Sequence, residues 1–206
     1  MIRINQIKLP VQHTEQDLQK AICKVLRKPE IKTYTIIKQS LDARDKQKLH
    51  YSYSVEISET GFTQKEIRKL LTNKNIMLTS DKKYDFVSQI SHDFIEEKPA
   101  LQHPPIIVGT GPAGLFCGYQ LAKAGYHPIL LERGMNVEHR VREIQSFWDG
   151  GNLNPDCNVQ FGEGGAGTFS DGKLNTMIHD KTGRIGEVLR TFVSFGAPED
   201  ILYVNK

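Results

Sequence analysis

Two successive α/β regions are expected from this sequence, and three observations carry that expectation. Short segments of strand and helix periodicity alternate over residues 1–98; prolines gather at Pro99, Pro104 and Pro105; and from Ile106 a glycine-rich turn sits between an apolar run and a helical segment. The expected division is therefore a first domain over 1–98, a linker over 99–105, and a second domain over 106–206.

In the first region, Arg3 to Leu9 alternates polar and apolar residues as a half-buried strand does, and Pro10 ends it. Leu18, Ile22, Val25 and Leu26 then fall at helical spacing behind Thr14, a fitting N-cap, with an acidic first turn that opposes the helix dipole. Two strands are expected at Thr33–Gln39 and His50–Ile57, flanking the polar stretch Asp42–Lys48. Thr63 caps a second helix that presents Ile67, Leu70 and Leu71 on one face, and Asn75–Thr79 supplies a fourth strand. The order βαββαβ matches a ferredoxin-like α+β sandwich, a fold that hosts too many functions to predict one. Tyr51 and Tyr53 share a strand face, which leaves two readings: an aromatic platform for nucleic acid, or core packing. No RNP-like sequence surrounds them, and packing is the reading adopted.

Composition narrows the classes. The chain has 206 residues, 38% apolar and 25% charged, as a water-soluble globular protein does. It shows neither an apolar run long enough to span a bilayer nor a basic-then-apolar N-terminus. Residues 1–98 hold 18 Lys/Arg against 13 Asp/Glu, or +5, and the rest hold 9 against 11, or −2. The excess lysines are scattered, so a solvated surface is expected rather than a nucleic-acid patch. Cys23, Cys117 and Cys157 are far apart and odd in number, and the seven histidines show no ligand spacing; a reducing cytoplasm and no metal are expected.

The second region carries the chemistry. The run Ile106-Ile107-Val108 reads as a buried-type strand, Gly109-Thr110-Gly111-Pro112-Ala113-Gly114 as the turn, Leu115 to Ala124 as a helix, and Ile129-Leu130-Leu131 as a second strand ending at Glu132. A lone GxGxxG is weak evidence; placed between strand and helix it is the dinucleotide fingerprint of a Rossmann-like βαβ unit. Gly109 permits the tight turn, Gly111 clears the pyrophosphate's approach, and Gly114 lets helix and strand pack closely. The helix N-terminus then offers unpaired N–H groups and a positive dipole end to phosphates, with Pro112 in the first turn where its missing N–H is harmless. Ala113 and Cys117 are expected on the packed face of the helix. Glu132, 18 residues beyond Gly114, stands about where such a unit holds its ribose-binding acid, and its carboxylate would repel the 2′-phosphate of NADP. Five glycines between Gly162 and Gly172 signal either backbone pressed against a ligand or a mobile surface loop.

The patterns Val108-Gly109-Thr110-Gly111-Pro112-Ala113-Gly114-Leu115 and Leu131-Glu132-Arg133-Gly134 resemble the FAD-binding start of the glutathione-reductase-like flavoprotein superfamily. With Asn158–Leu174 and with Gln39-Ser40-Leu41-Asp42-Ala43-Arg44, the chain is similar to the N-terminal part of a group of bacterial FAD-dependent dehydrogenases that carry an α/β extension. That resemblance implies FAD as cofactor, with Glu132 on the adenosine ribose and Arg133 or Arg140 beside the adenine or pyrophosphate. It also implies that Gly164, Gly165, Ala166, Gly167 and Thr168 form a second loop approaching the cofactor. The partners implied are an unspecified small-molecule substrate and a nicotinamide or protein electron donor. Members of that group are longer and return to the FAD domain late, so an incomplete Rossmann-like domain and a truncated chain are expected. Asp171 and Lys173 either meet flavin or substrate or form an ion pair holding the loop, and Cys157 is either a redox thiol or buried filler. The alternative function is a non-catalytic module that binds a dinucleotide, nucleic acid or a protein partner.

Overall fold

A computed structural model describes residues 1–58, 60–80, 84, 86, 103–172, 180 and 182–204. Most of the expected linker, 99–102, lies outside them, as does Lys173. The chain forms two compact units, one of Met1–Tyr84 with Met177–Lys206 and one of Asp85–Thr176.

The first unit contains β1 (Ile2–Pro10), α1 (Glu15–Leu26), β2 (Thr35–Asp42), β3 (His50–Ile57), α2 (Gln64–Leu70) and β4 (Ile76–Leu78), in an antiparallel sheet of order β2-β3-β1-β4. Its core is made of Ile2, Ile4 and Ile7 from β1, Leu18, Ile22 and Leu26 from α1, and Tyr53, Val55 and Ile57 from β3, closed by Ile67 and Ile76. Ile2 and Ile4 share one strand phase and Ile7 the other. A bulge between Ile4 and Ile7, with Gln6 at φ 61°, shifts the phase so that all three face inward. Both helices begin with reciprocal capping boxes. Thr14 and Asp17 close α1, and in α2 the Thr63 N–H donates to Glu66 Oε2 at 2.7 Å while the Glu66 N–H donates to Thr63 Oγ1 at 3.3 Å. Leu71 lies past the end of α2 and is exposed rather than on its packed face. Tyr53 is buried, with its hydroxyl 2.9 Å from His13 Nε2, and Tyr51 packs against the same core.

The last segment of the chain groups with the first unit. Helix α5 (Arg184–Ser194) and the turn after it belong to the first unit, where the Gln39 N–H donates to the Tyr203 carbonyl at 2.7 Å and Val204 bridges β2 in parallel. At the outer edge of β2 this segment meets the backbone at Gln39.

The second unit holds β5 (Ile106–Val108), α3 (Pro112–Lys123), β6 (Ile129–Leu131) and α4 (Val137–Trp148). The strands pair in parallel, Ile106 with Ile129 and Val108 with Leu131, across the α3 connection. Side chains alternate: Ile107 and Leu130 face α3, whereas Ile106 and Val108 are 65% and 84% exposed on the other face. The strand expected to be buried on both faces is thus covered on one. No described helix is long and apolar enough to cross a membrane.

Candidate dinucleotide-binding site

The site is built at the carboxyl ends of β5 and β6. Gly109 turns the chain at φ 95°, where its N–H donates to the Leu131 carbonyl at 2.7 Å, joining the two strand ends. Gly114 sits so close to this turn that a Cβ would overlap the Gly109 carbonyl, and one on Gly118 would come 3.0 Å from Leu130 Cδ1. These two glycines set the packed face of α3. Cys117, one position before Gly118, is exposed, which corrects the expectation that it packs on the sheet with Ala113, also exposed. Gly111 differs from both neighbours. Its φ of −69° suits any residue, and a Cβ there meets nothing within 4 Å. Neither strain nor crowding within the protein accounts for a glycine at this N-cap. Beyond it, Pro112 opens α3, whose first-turn N–H groups have no intrahelical acceptor.

Glu132 ties this turn together. Its Oε2 accepts from the Thr110 N–H at 2.6 Å and the Thr110 hydroxyl at 2.9 Å, and its Oε1 accepts from the Gly134 N–H at 2.8 Å. The Gly134 and Thr110 N–H groups hold its carboxyl well below the usual range, at about 2, so it is an anion throughout the physiological range. A carboxylate has about four acceptor sites. Three close donors and the Gly162 N–H, which also acts on it, make this carboxylate an acceptor that a ribose hydroxyl would have to share, while its negative charge disfavours a phosphate at the same place.

The second glycine-rich stretch lies against the first. The Gly164 N–H donates to the Thr110 carbonyl at 2.9 Å, and a Cβ on Gly165 would stand 3.2 Å from both Gly111 Cα and Pro112 Cδ. Gly164 and Gly165 have φ of 83° and 64°, and Gly165–Phe169, with Ala166, Gly167 and Thr168 inside it, winds into a short 3₁₀ turn. The loop is therefore packed on the turn. Arg140 is fully buried beneath it and directs its guanidinium at loop carbonyls. The inner face of α4 places it behind the loop, with its guanidinium on the carbonyls of Asn158, Val159 and Gly165. Arg133 is exposed, with its guanidinium 4.4 Å from the centre of the Phe161 ring. Cys157 is buried, as filler is, and Asp171 is exposed.

Helix α4 went unforeseen, although its signal was present: Asn136 accepts from the His139 N–H at 3.1 Å as N-cap, and Arg140 and Ile144 follow at helical spacing. A cation at a core position broke the apolar pattern.

This geometry, of a glycine turn at a helix N-terminus with an acid at the next strand end, defines a Rossmann-like dinucleotide-binding region. A family model described as an NAD(P)-binding Rossmann-like domain matches residues 107–161, and a domain of unknown function (DUF8436) matches residues 1–58. Over its whole length the chain is 40% identical to an uncharacterized protein of Clostridium beijerinckii, of which it spans 37%. A stretch of 43 residues, 21% of the chain, is 46% identical to 4% of the "Putative oxidoreductase YgfK" of Escherichia coli K12.

Proposed function

We propose that this chain carries the adenine-dinucleotide site of an FAD-dependent oxidoreductase. One observation bears most of the weight: Gly111 is a glycine that neither backbone strain nor crowding requires, at the one place where a pyrophosphate would press on backbone. In this reading, the N-terminus of α3 receives the pyrophosphate and the Glu132 carboxylate accepts from a ribose hydroxyl. The loop Gly164–Thr168 flanks them. The flavin, when bound, supplies the electron and hydride chemistry, and the protein supplies position and field. FAD rather than NAD is supported by the flavoprotein-like sequence on both sides of the site, and an oxidoreductase by the likeness to YgfK. We also read the first unit as ferredoxin-like, from its strand order, and the protein as cytoplasmic, from its separated cysteines.

Titration of FAD, NAD and NADP into wild type and Gly111→Val tests this. FAD is expected to bind best and to be lost in the variant, while the thermal unfolding midpoint falls only slightly, from the weaker N-cap, because the added side chain enters open space. Tighter binding of NAD than FAD defeats the flavoprotein reading, and equal FAD affinity in both proteins defeats the site.

A further inference from the structure

We propose that Arg140 is a positioning residue of the dinucleotide site: its guanidinium, sealed beneath the second glycine-rich loop, holds that loop on the turn that receives the pyrophosphate. The inference rests on the reading of that turn as a dinucleotide site. Arg140 is 0% exposed, and among the described residues no carboxylate pairs with it. Instead, Nη1 donates to the carbonyls of Glu163 and, at 3.0 Å, Gly165. Nη2 reaches the carbonyls of Asn158 and Val159 at 3.3 and 3.2 Å, and the Phe169 ring lies 5.0 Å from the guanidinium carbon.

A buried cation without a counter-charge is expensive unless something compensates for it. Here, carbonyl dipoles take four of its five N–H groups, while Nε–H, also buried, has no acceptor. No carboxylate among the described residues pairs with the charge under the loop, leaving a positive potential that an anionic ligand relieves. The glycines follow the same logic. A Cβ on Gly162 would stand 2.5 Å from Arg140 Cδ, so the loop is shaped around this side chain. Gly165 links the two halves of the argument: its carbonyl accepts from Nη1, and its Cα side rests on Gly111 and Pro112. Lysine could keep the charge, but its three-donor ammonium cannot span carbonyls on both arms of a planar fork.

The test uses the whole chain, wild type against Arg140→Lys, with two readouts. Hydrogen exchange without ligand is followed over residues 158–169 and over β1–β3, and FAD is titrated into each protein. In Arg140→Lys, exchange is expected to rise in 158–169 and stay unchanged in β1–β3, with FAD affinity falling about tenfold or more, as loss of hydrogen bonds from a charged group does. Wild-type exchange and wild-type affinity in this variant overturn the proposal and leave the dinucleotide reading standing. A wild-type chain that binds none of FAD, NAD or NADP overturns that reading, and the proposal with it. If Arg140→Lys loses protection everywhere, Gly165→Ala decides, since it leaves Arg140 in place and disturbs the loop locally, through its left-handed φ and its seat on the turn. Weaker FAD binding there supports the proposal, and unchanged binding overturns it.

Discussion

The two units are held together by different means. In the first, β1, α1 and β3 pool isoleucines, leucines and a valine into one apolar cluster, and each element from β1 to β4 was announced by periodicity or a cap. In the second, the buried groups that organise the site are an arginine, a threonine and glycines, and the apolar strands leave one face exposed. Apolar burial is non-directional and tolerates adjustment, whereas a network of carbonyls around a guanidinium and N–H groups around a carboxylate fixes a backbone shape. The contrast matches the task proposed for the second unit, whose backbone surface must fit a ligand.

The comparison can be broken most forcefully in the first unit. Ile22 is 0% exposed, and Ile22→Ala should destabilise that unit by about 2–5 kcal/mol. Chemical denaturation followed by far-ultraviolet circular dichroism measures this. The sole tryptophan, Trp148, stands in α4 with its ring edge-on to Phe169, so its emission reports on the second unit. Its transition should stay where it is in Ile22→Ala; a joint shift would mean that the units unfold as one.

The next effect lies in the polar network. Glu132→Ala removes the acceptor of the Thr110 and Gly134 donors and should destabilise the second unit by about 1.5–3 kcal/mol, towards the lower end because the carboxylate is partly solvated. The folded-state pKa is lowered from the ordinary 4.5 to about 2, so the stabilisation is present above 4.5 and lost as pH falls from there towards 2. Trp148 emission in an acid titration should show this loss in wild type, and Glu132→Gln should flatten it. Smallest is Thr63→Ala, which removes one side of the α2 capping box. A loss of about 1 kcal/mol is expected in the circular dichroism transition, with Trp148 unaffected.

Legibility in the sequence divided along the same line. Thr14, Thr63 and the alternation in β1 and β3 placed the elements of the first unit because each signal acts on its own segment. Strand β2 runs to Asp42 rather than stopping at Gln39, since cross-strand partners on β3 extend it. The bulge at Gln6 was written in the phase change between Ile4 and Ile7, two residues that no single alternation can bury together. In the site, the glycine fingerprint and Glu132 were readable from spacing. The role of Arg140 was not, because its partners are carbonyls, which every residue carries and no sequence displays. The docking of Tyr203 and Val204 on β2 escaped for the same reason.

That docking has a consequence for synthesis. The edge of β2 at Gln39 is met by backbone near residue 204, with the entire second unit lying between them in the chain. At about 5–20 residues per second, the ribosome needs on the order of ten to thirty seconds to make the stretch from the end of β3 to that segment. Throughout this interval the first sheet has its core residues from β1, α1 and β3 but an open border at Gln39. Nascent chains on neighbouring ribosomes could pair with one another there, and the polar outer strand, with Lys38 and the charged turn after Asp42, is what guards the border until its own partner emerges.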